Sequence, residues 1–285
     1  MINITIGMHG RKVAWTYLRH FSWCLMQVPG VKVTEDRIGR SGVPSFMIAV
    51  NGQLTGCVDI FDKSNGIIRH AKVIIDKYKP NVIFKSQYDT TAKYASDKRF
   101  VPCGLYRSDR YTQLVKSKSK KRDIDITCRM RTHFKTKRRG RWPKHRHMIF
   151  KQAKLLHKKY KRKVAIGKIK PKAYFAELSR CKIGYNWRGT ALINWRVSEY
   201  VRNGVVMITD PYGERFPFRD DVIFEDDVNC VVCDQPSEFA RVTLELLSDK
   251  IRLRRLRENV QQLWCDKLCP IEHGKWILKH LLAAK

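Results

Sequence analysis

Arg196 and Glu199 stand three residues apart in "TALINWRVSEYVRNG", directly after the triplet Trp187-Arg188-Gly189. Ile193, Val197, Tyr200 and Val201 recur at helical spacing, which predicts a helix from about Thr190 to Val201. At about 100° per residue, Arg196 and Glu199 fall on the flank and far side of that apolar stripe. The pair is therefore expected to face a cleft. A loop ending at a helix N-terminus offers backbone N–H groups and a positive dipole end to an anion. A carboxylate further along the helix can accept two hydrogen bonds from a ribose diol. Spacing alone leaves a second reading open, an intrahelical ion pair worth about 0.2–0.5 kcal/mol.

The elements that must position this pair are strands and helices in alternation. In the first half "INITIG", "VKVTE", "SFMIAV", "TGCVDIFDKSNG", "NVIFK" and "FVPCGLY" read as strands. Helices are expected over 12–27 and 67–78. The polar, basic segment "VKSKSKKRD" reads as a linker. After it come strands at "IDITCRM", "KVAIG", "KIGYN", "VVMITDP" and "NCVVCD". Helices are expected from Pro143, over "KAYFAELSR", over the quoted stretch, over 236–247 and 248–268, and after Pro270. This rhythm predicts an α/β protein with mostly parallel sheets, built as two Rossmann-like βα domains facing a cleft. The first domain spans 1–120 and the second 121–270, with 271–285 a final helix able to cross back to the first. Ligands of such sheets bind outside the carboxyl ends of the strands.

Charge is the strongest compositional signal. The 285 residues carry a formal net charge of +32. From Lys116 to Lys172 there are 24 Lys or Arg against two acids, Asp123 and Asp125. Such density suits a phosphate-rich polymer or an anionic membrane surface. A hydrophobic fraction of 43% supports a real core and excludes a disordered tail protein. No run of apolar residues is long enough to span a bilayer, and "MINITIGMHGRK" reads as a first strand rather than a signal peptide. Nine scattered cysteines, an odd number, suggest reduced thiols and a cytoplasmic location. Cys230 with Cys233 and Cys265 with Cys269 have pairwise spacings a metal site could use, but they fall in an expected strand and at a helix end. No metal site is assigned, and a monomer is expected.

The stretch "YFAELSRCKIGYNWRGTALINWRVSEYVRNGVVMITDP" resembles the nucleotide-sugar half of glycosyltransferases of the GT-B fold. A helix and strand precede a Gly-containing loop; an Arg-x-x-Glu helix, a glycine and an apolar strand ending near Asp-Pro follow. The segment "PSEFARVTLELLSDKIRLRRLRENVQQLW" is similar to that family's closing helices. The resemblance covers roughly 125–285. It implies that Glu199 holds the ribose of a nucleotide sugar, with a UDP-sugar as co-substrate and no other cofactor. Arg196 and the Trp187–Gly189 loop would lie near the diphosphate or sugar. Ala191 stands where many relatives carry an earlier Glu, so the sugar and the stereochemical outcome stay open.

Transfer from a nucleotide sugar needs charge neutralised on the leaving diphosphate. Arg129, Arg131, Arg146, Arg188 and Arg196, with Gly189, are the candidates, and the family generally uses basic groups there rather than a metal. An inverting reaction also needs a general base near the acceptor hydroxyl. Asp62, Asp59 and His9 in the first half are the candidates, with Asp89 after "NVIFK" a further one. The basic stretch "KTKRRGRWPKHRHMIFKQAKLLHKKYKRK" supplies Lys137, Arg138, Arg139, Arg141 and Lys144 for DNA phosphates. A modified base would flip into the cleft for reaction. In charge and architecture the chain resembles phage enzymes that glycosylate 5-hydroxymethylcytosine in DNA, which would place it in the host cytoplasm. Two other readings compete. One is a membrane-surface glycosyltransferase with a lipid or polysaccharide acceptor, for which the 116–172 run is poor in apolar residues. The other is a non-enzymatic nucleic-acid-binding protein, which leaves Glu199 unexplained.

Overall fold

The computed structural model describes residues 1–9, 12–37, 45–59, 69–104, 121–129, 141–187, 195–211 and 215–283. The chain is α/β, with two Rossmann-like sheets flanked by helices.

The first sheet holds β1 (Ile2–His9), β2 (Val31–Arg37), β3 (Ser45–Val50), β4 (Gln53–Asp59), β5 (Val82–Lys85) and β6 (Phe100–Pro102), in the order 2-1-3-4-5-6. It is not the run of parallel units that the alternation predicts. β3 is antiparallel to both β1 and β4. The cause is local: Asn51 and Gly52 take φ values of 51° and 84°, the left-handed pair that a two-residue hairpin requires. Asn51 also bonds Asn3 through its backbone N–H (2.8 Å) and accepts from Asn3 N–H through Oδ1 (3.0 Å), fixing the hairpin to β1. The remaining neighbours pair in parallel. Helices α1 (Lys12–Met26) and α2 (Arg69–Tyr78) flank the sheet.

The second sheet holds β7 (Ile124–Cys128), β8 (Val164–Ile166), β9 (Cys181–Tyr185), β10 (Val206–Thr209) and β11 (Val231–Val232). All its neighbours are parallel, in the order 11-10-9-7-8. One face is covered by α3 (Arg141–Lys158) and α6 (Phe239–Ser248), packed through Ile149, Ala153, Leu156, Phe239 and Leu246. The other is covered by α4 (Pro171–Leu178), α5 (Trp195–Arg202) and α7 (Lys250–Leu263), through Phe175, Leu178, Val197, Tyr200, Val201 and Val260. The single helix expected over 248–268 ends earlier. From Trp264 to Leu268 the backbone widens into a π-turn, with Cys269 N–H on the Trp264 carbonyl at 2.6 Å.

Two segments of the second half pack on the first. Helix α8 (Pro270–Ala283) lies on α1, and Trp276, Ile277 and Leu281 join Phe21, Cys24, Leu25 and Phe84 in one core. The connection between β10 and β11 also reaches across. Gly104 N–H donates to the Phe218 carbonyl at 2.6 Å and Thr90 N–H to that of Arg215 at 3.0 Å. Arg219 closes the seam. The residue is 1% exposed, and its guanidinium pairs with Asp221 at 2.7 Å, donates to the Lys267 carbonyl at 2.6 Å and lies 4.8 Å over the Trp276 ring.

Candidate functional site

The all-parallel sheet has a built-in crevice. Numbered from its own first strand, its order is 2-1-3-4-5, so the chain direction reverses between β7 and β9. Loops at the carboxyl ends of those strands diverge to opposite faces and leave a space that open α/β sheets use for ligands. Thr127 pairs with Gly184 at this point, and Arg129, Asn186 and Trp187 follow directly.

Helix α5 is pinned beside the crevice by a glycine. A Cβ on Gly184 would fall 2.6 Å from the Tyr200 ring, so only glycine lets that ring lie flat on β9. The Tyr200 hydroxyl then donates to the Tyr185 carbonyl at 3.0 Å. One residue earlier, Glu199 is 5% exposed, and its Oε2 accepts from the Tyr174 hydroxyl at 2.9 Å. Tyr174 sits in the first turns of α4, which starts at Pro171 beside the end of β8. Burial first, then the adjacent Glu199 carboxylate, push the Tyr174 phenol well above its ordinary value, so it stays protonated and donates. The outward position expected for Glu199 is thereby corrected. α5 is covered by α4 as well as by the sheet, so the flank that the helical wheel leaves open is closed by Tyr174. Arg196 is half-buried.

Across the crevice, Arg146 is 6% exposed and donates from Nη2 to the Trp187 carbonyl at 3.1 Å, tying α3 to the end of β9. Trp187 is 3% exposed and lies edge-on between His145 and Phe239. Asn186, Thr209 and Asp210 are fully buried, and the three form a polar chain through contacts of 3.4 Å at the ends of β9 and β10. Arg129 is committed to the fold. It forms a two-pronged pair with Glu177 and donates to the carbonyls of Ile166 and Gly167, bracing β7 against β8 and α4. Arg131, Arg188 and Gly189 lie outside the described residues.

In the first sheet, His9, Ser45, Asp59, Lys85 and Pro102 share one register row at the carboxyl edge. Asp59 and Lys85 are both 0% exposed and pair at 3.1 Å. A general base must reach the acceptor hydroxyl, and this carboxylate instead faces a buried ammonium. The assignment of Asp59 as an accessible base is therefore corrected. Ser86, Gln87 and Asp89, just beyond β5, are buried too, and Asp89 pairs with Arg215 at 3.1 Å, which corrects its expectation as an accessible base as well. The backbone of His9 ends β1, its side chain and all of Asp62 being outside the described residues. The same holds for Lys137, Arg138 and Arg139, and for the side chain of Arg141, whereas Lys144 is exposed on α3.

Tyr174, Asn186, Thr209 and Asp210 are site features to which the sequence assigns no role. Asn186, as the first residue after an apolar strand, and Asp210, in the Asp-Pro that closes the next one, carried a signal without being assigned a role. Among the described residues no three His, Cys, Asp or Glu gather as a metal group. Cys230 and Cys233 donate to the carbonyls of Glu225 and Gln235. No helix among these residues is long and apolar enough to cross a membrane.

No family model matches the chain, and a search of curated proteins returned no match. Among solved structures, the chain is similar to Anabaena HepE, solved in complex with UDP-glucose. Identity is 10% over 75% of this chain and 67% of that one, with a TM-score of 0.45. TarM, whose S. aureus form has been solved with UDP, shares 13% identity over 79% of this chain and 48% of its own, with a TM-score of 0.46. The Gap123 complex from Streptococcus agalactiae shares 11% over 99% and 54%, with a TM-score of 0.47. The chain thus spans about two thirds of HepE and about half of the other two.

Proposed function

We propose that this protein is a glycosyltransferase that takes a sugar from a nucleotide sugar, a UDP-sugar by preference, and moves it to a hydroxymethylated base in DNA. The observation that carries the donor half is the buried Glu199 beside the β7–β9 switch point, its carboxylate held by Tyr174. A carboxylate in low dielectric makes strong hydrogen bonds to a ribose diol. The acceptor hydroxyl oxygen would attack the anomeric carbon as its bond to the diphosphate oxygen breaks. Arg196, with Arg131 and Arg188, would meet the charge left on the diphosphate. Arg129 and Arg146 serve this less directly, by bracing the strand ends. With Asp59 sealed by Lys85, the acceptor proton falls to Asp62 or His9. The DNA acceptor rests on the basic stretch between Lys116 and Lys172.

Two measurements test this reading. Glu199→Ala is expected to weaken UDP binding by about 1–3 kcal/mol in calorimetry. Unchanged affinity in a folded variant removes Glu199 from the donor site. Nucleosides from hydroxymethylated duplex DNA, incubated with the protein and a panel of nucleotide sugars, are expected to gain the mass of one hexosyl or pentosyl residue, the sugar less one water. Transfer to a lipid or polysaccharide acceptor alone overturns the DNA acceptor and leaves the donor half standing.

A further inference from the structure

The outer face of α3 carries a regular row of cations. Between Asp125 and Glu177 the chain has no acidic residue. On α3, Lys144, His147, Lys151, Lys154 and Lys158 follow one another at steps of three and four, and all are exposed. Those steps place them on one stripe, about 21 Å long at 1.5 Å per residue. Among the described residues none of the four lysines enters an ion pair. Some surface cations elsewhere have an acidic partner: Arg180 with Asp123, Lys182 with Asp125, Arg241 with Glu238 and Glu245, Arg252 and Arg255 with Asp227. Like charges at these helical steps repel. An uncompensated row of them is a surface that an anionic partner stabilises.

We infer that this stripe on α3 is a phosphate track, on which the backbone of duplex DNA lies while the acceptor base reaches the crevice. The inference rests on the DNA-acceptor reading above and deepens it. Three features select nucleic acid over a bilayer. The apolar stripe of α3, with Ile149, Ala153 and Leu156 at 0% exposure, is spent on the sheet; among the described residues of its outer side, Met148 and Leu155 are the exposed large apolar side chains, too narrow a strip to insert as an interfacial helix. The lysines form a line rather than a disc, which suits a linear polymer. The helix also begins at the ligand end of the sheet, where Arg146 holds the Trp187 carbonyl. Lysines acting as point charges on phosphates carry no base information, so binding here is independent of sequence.

The test uses the full-length protein and the triple substitution Lys151→Gln, Lys154→Gln, Lys158→Gln, with the charge-keeping triple Lys→Arg beside it. Binding to short duplexes of two unrelated sequences is measured over a salt series, and UDP binding in parallel. Each phosphate contact contributes a log–log salt slope of about −0.9. The Gln triple is expected to flatten the slope by up to about 2.7, equally for both duplexes, with UDP affinity kept. The Arg triple is expected to retain the wild-type slope. An unchanged slope in the folded Gln triple overturns the track. So does a triple that loses binding to phosphatidylserine-containing vesicles while keeping its hold on duplex DNA. The donor reading fails separately: a flattened slope in a protein that binds no UDP keeps the track and removes the transferase.

Discussion

Tyr174 donates its phenolic hydroxyl to Glu199 Oε2 at 2.9 Å, and both side chains are buried. The bond joins two helices on the same face of the second sheet and fixes the carboxylate that the proposed donor site depends on. Tyr174→Phe keeps the ring and removes only the donor. UDP affinity is expected to fall by on the order of 1 kcal/mol, since the carboxylate is no longer held in the orientation that meets the ribose diol. A role in orienting Glu199 toward a ribose diol has a specific signature. The loss should be large for UDP and small for its 2′-deoxy analogue. Equal losses for the two nucleotides would reduce Tyr174 to a packing residue.

Why this bond escaped the sequence is a matter of topology. Val197, Tyr200 and Val201 were legible as an inward stripe, because helical periodicity is local, and all three are buried. Tyr174 meets Glu199 only because the sheet order lays α4 beside α5, and no spacing rule encodes that neighbour. Likewise, the pairing of Asp59 with Lys85 follows from the register of β4 on β5. The strand-to-helix rhythm gave the fold class, yet it hid the antiparallel β3. The signal for it, Asn51-Gly52 between two apolar runs, was in plain view.

Gly274 on α8 faces Cys24 on α1 so closely that a Cβ would fall 2.1 Å from the Cys24 carbonyl oxygen. In an ordinary helix, Gly→Ala stabilises by roughly 0.5–1 kcal/mol. Here the obstacle is backbone, which cannot rotate away, so α8 must lift from α1. Gly274→Ala is expected to reverse the sign and cost about 1–3 kcal/mol, as overpacking does. Urea unfolding gives the answer directly. A variant more stable than the parent would mean that the two helices are not held this tightly.

The last prediction concerns the seam between the halves and its response to acid. Asp89, 3% exposed beyond the end of β5, pairs with Arg215 at 3.1 Å from the segment that crosses over from β10. Burial pushes the Asp89 carboxyl up, but hydrogen bonds from Arg215 and Thr91 outweigh it and hold the group below the ordinary carboxylate value. A carboxylate depressed in the folded state adds stability above its unfolded value, and that contribution is lost as pH falls through the folded value. Arg215 is more than half exposed, so solvent screens the pair, and Arg215→Ala is expected to cost at most about 1 kcal/mol at neutral pH. The gap between parent and variant should then close as pH drops below about 4, where the unfolded carboxylate protonates. Asp89→Asn in the Arg215→Ala background should add no further pH dependence from this pair. Urea unfolding at a series of pH values measures all three proteins. A stability gap that holds constant or widens through the acid range would show that Arg215 acts through something other than the Asp89 charge.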